Sequence, residues 1–305
     1  MPRWVSVLAG AGILVLLGFQ LGAKPFVDAV RSIDLVSVLL ALAITAGTTW
    51  CCTHRWILLA DRLDVGVSAM PAFRAYYRAQ FLNSTLPSGV LGEVDRAIWH
   101  GHSSKAMARG IRSVLWDRAT GQVVLFGLVV LTIPALAPPV RTWMLWLLLA
   151  AAVVVSLASM VRSKIVRAFW AEARDVPGAR TVWPRILLLS VLALSGHVAI
   201  FIVAARSVGV SAPTLSLIPV GLVVLQASSI PLNIAGWGPR EGVTALIFGA
   251  SGLGADAGLA TSVAFGVLCT IAALPGALAL RRRQATQRAH EQKGGSQWAN
   301  ARTPS

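Results

Sequence analysis

Two short segments of this apolar chain combine helix-breaking residues with charged side chains. In the first, residues 86–96, Pro87 is followed by Gly92, Glu93 comes directly after that glycine, and Arg96 lies three residues after Glu93. Proline interrupts a helix, whereas the carboxylate and the guanidinium are groups that bind ammonium and phosphate ions. We expect a new helix to begin near the acidic residue. Its free N–H groups would then face the break and suit an anion.

The second segment, residues 230–242, repeats this chemistry in the other half of the chain. Proline, asparagine and glycine residues shape this break, and an arginine and a glutamate follow it. They are Pro231, Asn233, Gly236, Gly238, Arg240 and Glu241. Lipid cannot satisfy the backbone groups of a broken helix, so each break must be buried in protein or line a polar cavity. Paired breaks in two halves of a membrane chain indicate the substrate site of a transporter.

A third group of charges, Asp117 and Arg118, lies early in an apolar segment. Adjacent residues do not share one helix face, so we expect each to pair elsewhere, across the bundle with the breaks. The alternative is that all these acids and arginines neutralise one another as structural pairs. The residues predicted to bind substrate are Glu93, Arg96, Asp117, Arg118, Arg240 and Glu241.

Residues near the first break add an amphipathic element. The pattern over 66–82 predicts an amphipathic helix at the cytoplasmic interface. We expect Arg55, near the cytoplasmic end of its segment, to extend its guanidinium to the interface, and His197 to be a core histidine. Five further polar residues either line a cavity or form interhelical hydrogen bonds; they are Asn83, Ser84, Gln226, Ser228 and Ser229.

The composition determines the class of protein that positions these residues. The chain has 305 residues, of which 56% are hydrophobic and 13% charged, and soluble domains carry about 25% charged residues. Apolar runs recur near the ~20 residues that cross a bilayer as helix. We predict an all-α polytopic membrane protein with about eight transmembrane helices and two broken or re-entrant segments, an arrangement that allows an inverted repeat. The apolar segments are 4–23, 35–60, 111–133, 142–161, 185–206, 214–232, 239–251 and 256–280.

The basic residues predict the orientation. Of the 27 Lys and Arg residues, 20 fall on one side of the predicted spans and 4 on the other. The richer side is cytoplasmic by the positive-inside rule, so both termini of this multi-pass protein are expected inside the plasma membrane. The same rule explains the net charge of +15 without a nucleic-acid partner. We expect a transmembrane domain over 1–283 and a disordered basic tail over 284–305.

Metal and cofactor chemistry find no support in the sequence. Cys51, Cys52 and His54 have no second cluster of ligands, and Cys269 lies alone in an apolar stretch. No Walker A sequence is present, so energy from ATP is not expected. We therefore predict no metal and no cofactor.

These motifs resemble those of the transmembrane, flippase-like region of lysylphosphatidylglycerol synthases and its stand-alone relatives. The resemblance rests on the proline–glycine–glutamate–arginine order at 87–96, on Trp116-Asp117-Arg118, and on the runs 230–233 and 236–242, and it covers residues 4–280. Asp117 stands where a glutamate is expected. In fused members, this region is associated with moving an aminoacylated lipid between leaflets, and a separate soluble domain makes that lipid. Nothing foldable follows residue 283 here, so lysyl transfer is not expected.

The resemblance and the breaks together imply a flippase-like protein, a transporter rather than an enzyme. Its partner would be a membrane lipid that bears phosphate: an aminoacylated phospholipid or a polyprenyl-phosphate-linked precursor, since stand-alone relatives are linked to lipid-bound sugar pathways. Arg96 or Arg240 would hold the phosphate, and Glu93 or Glu241 would balance charge or recognise an amine. One alternative is a membrane-embedded transferase acting on a lipid carrier. Another is a non-transporting scaffold whose partner is a lipid or cell-envelope biosynthetic enzyme. The sequence predicts no oligomeric state.

Overall fold

The computed structural model describes residues 24–86, 90–160, 172–176, 180–229 and 238–280, and in these ranges the chain is helical without strands. The predicted first span, the predicted tail and the residues Pro87, Pro231, Asn233 and Gly236 lie outside them. The helices are α1 Lys24–Arg31, α2 Leu35–Arg62, α3 Ala69–Thr85, α4 Leu91–Ser103, α5 Met107–Thr132, α6 Pro138–Met160, α7 Trp183–Ser207, α8 Thr214–Ser228, α9 Pro239–Ala250 and α10 Ala255–Ala273. A short 3₁₀ turn, Ile133–Ala135, follows α5.

Helices of membrane-crossing length and hydropathy coincide with four of the predicted spans. Among the described residues they are Leu35–Arg62, Met107–Ala135, Trp183–Ser207 and Ala255–Leu280. Helix α8 is apolar but has 15 residues. Helix α9 has 12 residues, a length of about 18 Å, whereas the hydrocarbon core is ~30 Å thick. The predicted segments at 214–232 and 239–251 are therefore short helices beside the second break.

The distribution of apolar and charged side chains is that of a membrane-embedded bundle. Large apolar side chains lie on the outside, and Leu35, Leu131 and Leu215 are 71%, 75% and 79% exposed. Asp117 and Glu241, in contrast, are fully buried. Water would penalise this exposed apolar surface, whereas lipid matches it, and charges inside a bilayer face the interior of a bundle.

Small residues set how closely the helices pack. Helix α2 lies along α7, and a Cβ at Gly196 of α7 would collide with Thr48 of α2. Helix α10 packs on α9, where a Cβ at Gly258 would meet the side chain of Phe248. Glycine at these two positions therefore allows the close approach that holds the core of the bundle together.

Each break is followed by a new helix, as predicted. Helix α4 begins at Leu91 and returns antiparallel along α3, because Arg78 contacts Asp95 and Asn83 contacts Gly92. The helix predicted over 66–82 is α3. Helix α9 begins at Pro239, whose first-turn position requires no N–H. Helices α2, α3, α4, α5 and α7 together surround the predicted charges of the first half.

Candidate functional site

A fully buried carboxylate, Asp117 of α5, joins three other helices of the bundle. Its Oδ1 accepts a hydrogen bond from Nε of Arg55 on α2 at 2.8 Å. Its Oδ2 accepts one from Nη2 of Arg96 on α4 at 2.9 Å and one from the hydroxyl of Tyr76 on α3 at 3.0 Å. A fourth helix, α7, is reached because Arg55 also donates from Nη1 to Ser190 at 3.0 Å. The carboxylate thus neutralises one of two buried cations and shares its charge with both.

Arg96 retains hydrogen-bonding capacity after it has bound Asp117. Its side chain is 2% exposed, and its guanidinium carbon lies 4.1 Å from the ring centre of Tyr76 and 4.7 Å from that of Trp56. Within the described part of the chain, its Nε and Nη1 have no hydrogen-bond acceptor. Buried donors without an acceptor are uncommon, and they point to an acceptor outside the described residues.

A second ion pair, more exposed than the first, lies beside Arg96. Nη1 of Arg118 donates to Oε1 of Glu93 at 2.5 Å, and the two side chains are 35% and 24% exposed. The other carboxylate oxygen of Glu93 accepts a hydrogen bond from Nδ2 of Asn83 at 2.8 Å. Asp117 and Arg118 therefore pair with different partners, as the helical spacing predicts.

The helix that carries Glu93 and Arg96 is held tightly against α3. The backbone N–H of Gly92 donates to Oδ1 of Asn83 at 2.7 Å, and a Cβ at Gly92 would collide with the carbonyl oxygen of Ala79. One side chain, Asn83, thus binds both the first turn of α4 and the Glu93 carboxylate. These contacts fix where the charged side chains stand after the break.

These charges open onto a cavity of about 310 Å³, here called the arginine cavity after Arg55, Arg96 and Arg118 in its wall. Glu93 is the carboxylate among its described lining residues. Further polar lining comes from Gln80, Gln122, His197, Ser228 and Ser229. The two serines stand at the end of α8, so the described wall of the arginine cavity includes residues of α4, after the first break, and the last residues before the second break.

The charged residues after the second break form a separate pair. Nε and Nη2 of Arg240 donate to Oε1 of Glu241 at 2.9 and 2.5 Å, and Ser262 of α10 contacts both side chains. Oε2 of Glu241 accepts the backbone N–H of Gly238 at 2.6 Å and so caps α9. Gly238 has φ 127°, which favours glycine. Among the described residues, the lining of the arginine cavity does not include Arg240 or Glu241.

The structure thus brings Glu93, Arg96, Asp117 and Arg118 together and places the remaining two predicted charges elsewhere. The prediction that Arg55 extends to the interface is wrong, because Asp117 and Ser190 offer it buried partners. A polar stripe on α2 was the available signal for its inward position. The stripe has helical spacing and consists of Thr45, Thr48, Thr49 and Cys52.

His197, predicted to be a core histidine, is half-buried at the edge of the core. Its imidazole lies in the wall of the arginine cavity, and its Nδ1 lies 2.7 Å from the carbonyl oxygen of Ala193. Tyr76 lies in the helix predicted to be amphipathic, and its hydroxyl donates a hydrogen bond to Asp117. Tertiary contacts, which the sequence pattern of one helix does not contain, determine both positions.

Comparison with protein families agrees with the motifs. The family model described as the lysylphosphatidylglycerol synthase TM region matches residues 3–276, which is most of the chain. No match to a curated protein is found. The matched range contains both breaks, the Asp117-Arg118 pair and every described residue in the wall of the arginine cavity. The chain therefore belongs to the family of lysylphosphatidylglycerol synthase transmembrane regions.

Proposed function

We propose that the protein binds the phosphate-bearing head group of a membrane lipid in the arginine cavity and moves that lipid between leaflets. The observation that carries the proposal is Arg96, whose buried Nε and Nη1 lack an acceptor in the described chain while its side chain lines the cavity. A phosphate oxygen is an acceptor of suitable charge and geometry for a guanidinium. Membership of a family of lipid-synthase membrane regions is consistent with a lipid ligand.

The size of the cavity favours a head group rather than a whole lipid. Its volume of about 310 Å³ is at the lower end of the roughly 300–1,000 Å³ of ligand sites. The acyl chains would remain in the bilayer, beside the exposed leucines of the helices. In this proposal the protein supplies a polar path for the head group only, which is the part that hydrocarbon excludes.

Glu93 and Arg118 would balance charge along the path of the head group. In the ligand-free arrangement each neutralises the other, and both are partly exposed. A phosphate that enters the cavity would compete with Glu93 for Arg118. It would also accept hydrogen bonds from Arg96. Asn83 would keep Glu93 in place, because it binds the carboxylate oxygen that Arg118 does not.

The proposal includes a topology and a substrate range. The protein would cross the plasma membrane eight times, with both termini in the cytoplasm. Each of two related halves would contribute one break within the bilayer. The phosphate-bearing lipid would be an aminoacylated phospholipid or a polyprenyl-phosphate-linked precursor. No nucleotide-driven step is included, so a gradient or mass action would drive net movement.

The test is lipid translocation by the purified protein in vesicles, with two arginines of the same helix compared. Arg118→Gln removes a cavity charge, and Arg112→Gln removes the partner of Glu172 in an exposed pair outside the cavity. Loss of a charge-assisted hydrogen bond is expected to slow translocation about tenfold or more in Arg118→Gln. Arg112→Gln is expected to match the wild type.

Equal rates for Arg118→Gln and the wild type would contradict the arginine cavity as the path. A wild-type protein that moves no phosphate-bearing lipid above protein-free vesicles would favour the scaffold alternative instead. Size-exclusion profiles of both variants control for folding.

A further inference from the structure

We infer that the arginine cavity selects lipids whose head group has a net negative charge, and rejects those in which an attached amine has cancelled the phosphate charge. The inference rests on the proposed function and specifies its substrate class. Within the range considered above, it favours an unmodified phosphodiester or phosphomonoester lipid over an aminoacylated one.

Among the described residues, the charges of the site leave one positive charge uncompensated. Arg55, Arg96 and Arg118 contribute three positive charges, and Asp117 and Glu93 contribute two negative ones. Residues 87–89 and 230–237, the parts of the two breaks outside the described ranges, contain no ionisable side chain. A ligand with one net negative charge would neutralise the site.

The hydrogen-bonding groups point to the same class of ligand. Each carboxylate oxygen of Asp117 and Glu93 already accepts a hydrogen bond from an arginine, a tyrosine or an asparagine side chain. An ammonium group has three N–H donors and no acceptor, so it would share the Glu93 carboxylate with Arg118 and Asn83 and could accept nothing from Arg96. An anionic oxygen can instead accept from Nε and Nη1 of Arg96, for which the described chain supplies no acceptor.

Burial strengthens the effect of the net positive charge of the site on a charged ligand. Arg55 and Arg96 are 7% and 2% exposed, so solvent screens their charge weakly. A ligand with a net positive charge, such as a lysylated head group, would be repelled by these arginines. That repulsion would add to the cost of desolvating the ligand. Discrimination therefore follows from the sign of the net charge, whatever the lipid chain attached to it.

The experiment measures translocation of three labelled lipids in otherwise neutral phosphatidylcholine vesicles: phosphatidylglycerol, a polyprenyl phosphate and lysylphosphatidylglycerol. We expect at least one of the two anionic lipids to move roughly tenfold faster than the lysylated one. Comparison of the two anionic arms shows whether a phospholipid or a polyprenyl carrier supplies the phosphate. Lysylphosphatidylglycerol moving as fast as both anionic lipids, or faster, would overturn the inference and leave the proposed function intact. If none of the three moves above protein-free vesicles, both fail.

A charge-restoring pair of variants separates selectivity from folding. Arg118→Gln reduces the net charge of the site to zero, so the ratio of anionic to lysylated transport should fall towards one. Glu93→Gln combined with Arg118→Gln returns the charge to +1, and the preference for the anionic lipid should return even if absolute rates are low. Arg112→Gln, outside the cavity, should keep the wild-type ratio. An unchanged ratio in Arg118→Gln, or one that the double variant does not restore, would contradict the inference.

Discussion

Arg96 of α4 donates a hydrogen bond from Nη2 to Oδ2 of Asp117 on α5, at 2.9 Å, with both side chains buried. This bond ties the helix that follows the first break to a helix of membrane-crossing length. Because the same carboxylate also binds Arg55 of α2, one residue organises three helices around the arginine cavity. The arrangement leads to separate predictions for stability and for transport.

Asp117→Asn is expected to destabilise the protein strongly, because two buried arginines would lose their counter-ion. Removing one partner of a buried ion pair costs about 3–5 kcal/mol, so the Tm in detergent should fall by about 5 °C or more. Asp256→Asn, an exposed acid on α10, is the matched control and should remain within about 0.5 kcal/mol of the wild type. A Tm of Asp117→Asn equal to that of the control would show that the carboxylate does not organise the bundle.

Gly92→Ala tests the close contact of α3 and α4. The new methyl group would collide with the carbonyl oxygen of Ala79, a backbone atom that has little freedom to move. We expect a loss of about 1–3 kcal/mol, measured by thermal unfolding. Gly47→Ala on α2 has open space around its Cβ and should be neutral or stabilising by about 0.4–1 kcal/mol. Similar Tm values for the two variants would mean that the helices do not approach as described.

Gly121→Leu tests the volume of the arginine cavity without a change of charge. Gly121 lines the cavity, and even a Cβ there would lie 2.9 Å from Nη1 of Arg55. We expect head-group transport to fall towards the rate of protein-free vesicles. Gly127→Leu, on the same helix but in open space, should transport at the wild-type rate. Transport by Gly121→Leu at the Gly127→Leu rate would mean that lipid takes another path.

The sequence predicted the all-helical fold and four spans among the described residues, and it predicted the ion pairs only in part. Apolar length identified the segments at 35–60 and 185–206, because bilayer thickness limits the length of a spanning helix. Helical spacing predicted that Asp117 and Arg118 face different partners. The identity of those partners was not predictable, since a pattern along one helix does not specify the register of its neighbours.

Arg55 and Arg240 both show that the sequence pattern of one helix does not identify the partners of a guanidinium. A position near the end of α2 favoured an exposed guanidinium for Arg55, yet Asp117 of α5 makes burial favourable. Arg240 follows a break and is predicted to bind a ligand, and in the structure it also pairs with the adjacent Glu241 and with Ser262. In both cases a buried acceptor determined where the guanidinium lies.

The Arg240–Glu241 pair is expected to behave as a structural unit in a double-mutant cycle. Glu241→Gln alone leaves a buried cation, and Arg240→Gln alone leaves a buried anion, so each should lower the Tm clearly. The double variant removes both charges and should be less destabilised than the sum of the single variants, by about 0.5–3 kcal/mol. Additive effects on thermal unfolding would instead indicate that each residue interacts mainly with another group.

The most direct measurement of the central claim is native mass spectrometry of the purified protein with its bound lipids. The wild type and Arg112→Gln should retain a phosphate-bearing lipid, and Arg118→Gln should lose it, because only the last change alters the arginine cavity. Retention of the same lipid by Arg118→Gln at the wild-type level would contradict the assignment of the head-group site to this cavity.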